Sequence, residues 1–131
     1  MVKEIPKTLK IIWLIQFVVC LIFSFIYVVL LESYTSASGY PYLDPIRGRA
    51  VGLTTGILGI FAIRAIMIDD WEKIQIYVEF SLFWIISIVI LNVLALFMLY
   101  LGTAVSGSIM IIAILVGFFI PNLYYYLQLR E

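Results

Sequence analysis

The chain has 131 residues, 65% of them hydrophobic and 12% charged, with a mean hydropathy of +1.17. A water-soluble fold has no means of hiding that much apolar surface, so composition excludes one. Eight Lys and Arg balance eight Asp and Glu, histidine is absent and Cys20 is the single cysteine. These counts exclude a basic field for nucleic acid and an internal disulfide, and they leave no ligand set for zinc or haem. Neither a metal nor another cofactor is expected.

Four charge-poor apolar runs account for most of the length. A hydrocarbon core about 30 Å thick is crossed by roughly 20 helical residues, and each run reaches that length. The first extends from Ile11 to Leu31, after Lys3, Lys7 and Lys10. It is too long for the apolar core of a cleaved signal. The polar stretch from Glu32 to Asp44 follows and reads as a loop. The second helix has a marked start, with Asp44 placed to cap it and Pro45 at the first helical position, where a missing N–H costs nothing. The span runs from Ile46 to Ile68. Asp69, Asp70 and Trp71 form a short turn, so the third span, from Ile74 to Tyr100, folds back on the second as a tight antiparallel hairpin. An uncharged link from Gly102 to Ser108 leads to the fourth span, Ile109 to Leu127. The expected architecture is an all-α, four-helix transmembrane bundle with no room for a separate soluble domain.

An even number of spans puts both termini and the middle turn on one side of the membrane. That side carries Lys3, Lys7, Lys10, Arg64, Lys73 and Arg130, whereas the other carries only Arg47 and Arg49. The positive-inside rule therefore places the termini in the cytoplasm of a multi-pass cell-membrane protein. Trp13, Trp71 and the tyrosines Tyr124, Tyr125 and Tyr126 then fit an inner aromatic belt, with Tyr34, Tyr42 and Tyr100 in an outer one.

Gly48, Gly52 and Gly56 recur every four residues on the second helix, with Gly59 near the same face. Small residues at this spacing let helix backbones approach closely. The stripe serves packing inside the bundle or contact with another membrane protein or a second copy. Ala113 and Gly117 make a similar stripe on the fourth helix, and one stripe is placed to receive the other.

Counting depth from the cytoplasmic boundary brings Gln16, Arg64, Glu79 and Asn122 to one level, roughly 6 to 9 Å inside the membrane. Arg64 and Glu79 flank the short turn at similar distances and are candidates for an ion pair, since charge at such depth is commonly paired. The layer either fixes the register of the bundle or lines a polar cavity in which Glu79 titrates or holds a cation and Arg64 binds an anionic group. Glu32, Arg47 and Arg49 form a second charged group at the outer rim. Asn92, deep in the third helix, is expected to hydrogen-bond across helices. Asp69, Asp70 and Glu72 read as helix-capping acids rather than a cation site.

The segment DPIRGRAVGLTTGILGIFAIRAIMIDDWEKIQIYVEFSLFWIISIVILNVLAL, Asp44 to Leu96, resembles small prokaryotic four-span membrane proteins of the broad DoxX-like type. The resemblance rests on the Asp-Pro entry, Arg49, the glycine-bearing second helix with an Arg near its end, and the acidic turn with Trp71. It implies a four-span fold and, for some members, a place as an accessory subunit of a membrane oxidoreductase. With no cofactor motif of its own, this chain would be a non-catalytic partner there. No protease, hydrolase or nucleotide-binding motif is present, and an enzyme is not expected. The leading expectation is an accessory or structural subunit of a larger membrane complex, surrounded by membrane lipids. The alternative is a homo-oligomer that binds or transports a lipid, a quinone or another small hydrophobic molecule through the Arg64 and Glu79 layer.

Overall fold

The computed structural model describes residues 3–39, 44–98 and 102–130. In chain order the helices are α1 (Lys7–Val29), α2 (Leu31–Ser38), α3 (Pro45–Ile68), α4 (Trp71–Met98) and α5 (Val105–Leu129), with a single 3₁₀ turn at Gly102–Ala104 before α5. Among the described residues there is no strand. Four helices, α1, α3, α4 and α5, are long and apolar enough to cross a membrane.

The start of α3 follows from its sequence. The Asp44 carboxylate accepts the Arg47 backbone N–H at 3.1 Å, and Pro45 opens the helix. Its end is equally local, because Asp69 adopts a left-handed backbone with φ 51° and its N–H bonds the Ala65 carbonyl. The stretch predicted as a loop after the first span is corrected in its first half. Leu31–Ser38 is a helix, closed by Gly39 at φ 73°, a conformation that glycine adopts without a Cβ penalty. Leu31 anchors it by burying its side chain against Gly48. Helices α4 and α5 begin a turn earlier than predicted, at Trp71 and Val105. Tyr40, Tyr42 and Tyr100 lie outside the described residues.

The long helices assort into two pairs, α1 along α3 and α4 along α5. The α3–α4 turn is as short as expected, but the two helices do not lie along each other, which corrects the predicted tight hairpin. All four meet at the end that carries the termini. There Leu9, Trp13, Ala62, Ala65, Trp71, Ile74 and Val78 form the buried core. The N-terminal residues strap this end shut. Trp71 N–H donates to the Lys3 carbonyl at 2.9 Å, Ile5 N–H donates to Asp69 Oδ1 at 3.1 Å, and the Lys3 ammonium donates to the Leu129 carbonyl. Lys10 adds an ion pair with Asp69 at 2.8 Å. Trp13 and Trp71, predicted for an interfacial belt, are instead 1% exposed within this core. Tyr124 is exposed, as a belt residue would be.

Helix association inside a bilayer gains little from hydrophobicity and depends on close packing and interhelical hydrogen bonds. The α1–α3 contact has that character. A Cβ on Gly52 would sit 2.8 Å from Tyr27 Cβ, one on Gly56 2.6 Å from Ser24 Oγ, and one on Gly59 2.8 Å from Cys20 Cβ. The stripe therefore faces α1. It does not receive the Ala113 and Gly117 stripe of α5, since a Cβ on Gly117 would meet nothing within 4 Å.

Candidate functional site

The predicted polar layer divides into three parts. Gln16 and Asn122 come together and are buried, at 5% and 2% exposure. Asn122 Oδ1 accepts the Trp13 indole N–H at 2.8 Å, while its Nδ2 donates to Gln16 Oε1 at 3.3 Å and to the Phe118 carbonyl at 2.7 Å. Glu79 is half-buried and stands apart from them. It accepts the Tyr126 hydroxyl at 2.8 Å and the Gln75 amide at 3.3 Å. Arg64 is exposed on the outside of α3, and among the described residues no carboxylate lies within ion-pairing distance of it. The expected Arg64–Glu79 pair is thus not formed.

At the opposite end, called here the loop end, the rim divides as well. Arg49 reaches Glu32 at 3.7 Å and donates to the Val28 carbonyl at 3.1 Å, tying α3 to α1 and α2. Arg47 pairs with Asp44 at 3.3 Å instead of joining Glu32. Asn92 makes no hydrogen bond across helices among the described residues; its amide donates to the Ile88 carbonyl of its own helix at 2.9 Å. At the turn, Asp69 is held by Lys10 and the Ile5 N–H, and Asp70 pairs with Lys73 at 3.3 Å.

Toward the loop end the two helix pairs are separated by a cleft of about 720 Å³. Its walls are apolar side chains of α1, α4 and α5, among them Phe23, Ile88, Ile111 and Leu115. Its mouth carries Thr35, Ser38, Asp44 and Arg47, and its floor is Gln16, Leu58, Ser81 and Phe118. The size falls in the range of ligand pockets, on the order of 300–1,000 Å³. A smaller cavity of about 430 Å³ lies between α1 and α5 beside Ile22 and Gly117, and shares Val19, Phe23, Ile114 and Phe118 with the cleft. Neither Arg64 nor Glu79 lines the cleft; Gln16, Arg47 and Gly48 do.

Ser81 and Trp84 are cleft residues that the sequence reading did not single out. Ser81 is 2% exposed, and its hydroxyl makes no well-formed hydrogen bond among the described residues; its polar neighbour is the Tyr77 hydroxyl, which itself donates to the Leu58 carbonyl at 3.1 Å. A signal was available, because Ile74, Val78, Ser81, Leu82 and Ile85 share one face of α4 by the i, i+3, i+4 rule. A hydroxyl on that buried face is out of keeping with its neighbours.

No family model matches the chain, and neither does any curated protein or solved structure. The functional reading therefore stands on the geometry of the cleft.

Proposed function

We propose that the chain is a cell-membrane protein with cytoplasmic termini that holds a long-chain amphiphile in the cleft between its two helix pairs. One observation carries this reading: a cleft of about 720 Å³ within the spans, apolar along its walls and polar at both ends. An apolar cavity of that size between helices is the expected host for a hydrophobic chain. Exchange with the surrounding bilayer would pass between α1 and α5, where Gly117 presents no side chain. Arg64 and Glu79 have no part in the site on this reading. The accessory-subunit expectation rests on the small size of the chain, its lack of catalytic motifs and the resemblance noted above, and the cleft is what turns the reading toward binding.

Gly107 provides the test. It lines the cleft, and a Cβ there would meet nothing within 4 Å, so a larger side chain projects into free space. Trp84, also in the lining, is an internal reporter. A long-chain amphiphile brominated in its tail should quench Trp84 saturably in nanodiscs, at mole fractions far below those of the bulk lipid. Gly107→Phe should remove that quenching and leave helicity unchanged. Unsaturable quenching, or equal quenching in Gly107→Phe, overturns the proposal.

A further inference from the structure

We infer that the floor of the cleft recognises an uncharged head that accepts hydrogen bonds, a carbonyl oxygen, with the tail pointing to the loop end. The inference rests on the binding reading above and gives it a ligand chemistry and a direction.

The argument begins at Trp13. An indole N–H can only donate, so the atom of Asn122 that it meets at 2.8 Å is the amide oxygen. The Asn122 NH₂ must then be the group facing Gln16 and the Phe118 carbonyl. This in turn makes the atom of Gln16 that Asn122 meets an oxygen, which leaves the Gln16 NH₂ without a partner among the described residues. Gln16 lines the cleft floor. Ser81 lines the same floor, 2% exposed, its hydroxyl beside that of Tyr77 and without a well-formed hydrogen bond among the described residues. Among the described residues neither donor at this end of the apolar cleft makes a well-formed hydrogen bond, and leaving the buried Ser81 hydroxyl so is costly.

The charge distribution selects the kind of acceptor. Asp44 and Arg47 are the charged residues in the lining, and both belong to the mouth. Lys10 is engaged with Asp69 at the terminal end. A carboxylate or phosphate at the floor would lose its hydration with no cation to meet it, whereas a ketone, ester or amide oxygen needs only the two donors.

The experiment compares three tail-brominated probes of equal length, a methyl ketone, a carboxylate and an alkane, by quenching of Trp84 in nanodiscs. The ketone should bind roughly three- to tenfold more tightly than the alkane, the worth of one ordinary hydrogen bond. Ser81→Ala and Gln16→Leu should each reduce that advantage without changing alkane binding. Ser81→Ala breaks no well-formed hydrogen bond among the described residues and removes only the contact with the Tyr77 hydroxyl, so its result stands even where Gln16→Leu disturbs folding. Equal binding of ketone and alkane, tighter binding of the carboxylate, or a ketone advantage that survives Ser81→Ala overturns the inference and leaves the binding reading intact. Failure of all three probes to quench saturably overturns the binding reading itself.

Discussion

Alanine at Gly52 and alanine at Gly117 are the same chemical change on two helices, and the structure gives them opposite signs. At Gly52 the added carbon would lie 2.8 Å from Tyr27 Cβ, 3.0 Å from Val28 Cγ2 and 3.3 Å from the Ser24 carbonyl oxygen. Tyr27 Cβ moves only with its backbone, so α1 and α3 must separate by several tenths of an ångström. A radial gap of about 0.5–1 Å forfeits a quarter to a half of each van der Waals well along the contact. Overpacking of this kind costs about 1–3 kcal/mol, and the helix propensity gained on replacing glycine by alanine offsets up to about 1 kcal/mol of it. With mid-range values, about 2 kcal/mol less about 1 kcal/mol, the net expectation for Gly52→Ala is a loss of about 1 kcal/mol. At Gly117 the carbon meets nothing within 4 Å, so only the propensity term remains and Gly117→Ala gains up to about 1 kcal/mol. Gly56→Ala should be milder than Gly52→Ala, because its nearest neighbour is the Ser24 hydroxyl, which can rotate away. Unfolding in mixed micelles by increasing SDS, followed by tryptophan fluorescence, measures all three. A Gly52→Ala protein as stable as the parent, or a Gly117→Ala protein as damaged as Gly52→Ala, would refute the assignment of the glycine stripe to the α1–α3 contact.

Further outcomes follow from the terminal end. Asn122→Leu strands the Trp13 indole N–H and the Gln16 carbonyl, and should cost about 1–3 kcal/mol in the same unfolding assay. Lys10 first, and then the Ile5 N–H, hold the Asp69 carboxylate below its ordinary value of 3.8. Its stabilising contribution is therefore complete above the unfolded pKa and is lost as pH falls through the lower, folded one. Thermal unfolding in a nonionic detergent should show Asp69→Asn less stable at neutral pH, with a shallower loss than the parent on acidification below about pH 4. Arg64→Gln, at an exposed position without an ion-pair partner among the described residues, should change stability by less than about 0.5 kcal/mol and leave Trp84 quenching intact. A larger effect on either would restore Arg64 to the site.

Four membrane-length helices were legible because span length and apolar composition depend on nothing distant. The same holds for the start of α3, where Asp44 and Pro45 act within one turn. The polar layer was half legible for a reason of geometry. Counting residues from a boundary fixes depth but not direction around the helix. Arg64 follows Gly59, which faces α1, by five residues, and at 3.6 residues per turn that carries it about 140° around to the far side. Gln16 and Asn122 share both depth and direction, and so they meet. The tryptophans misled because an indole is amphipathic. Its N–H suits a headgroup region, but Trp13 satisfies it on Asn122 inside the core. The cleft itself was not legible, because it depends on which helices pair, and nothing in the apolar runs distinguishes α1–α3 from α3–α4 before the glycines are given a partner.

The strap at the terminal end makes the two helix pairs a lever. Trp13, in the closed core, and Tyr27, beside the open cleft, are 14 residues apart on α1, about 21 Å along the helix. A relative rotation of about 5° at the core moves the far ends by about 2 Å over that arm. The clamps at the loop end, Arg49 to Glu32 and Arg49 to Val28, hold α1, α2 and α3 together and do not reach α4 or α5. On the binding reading proposed above, filling the cleft would change the girth of the molecule at the loop end and leave the girth at the strapped end nearly unchanged.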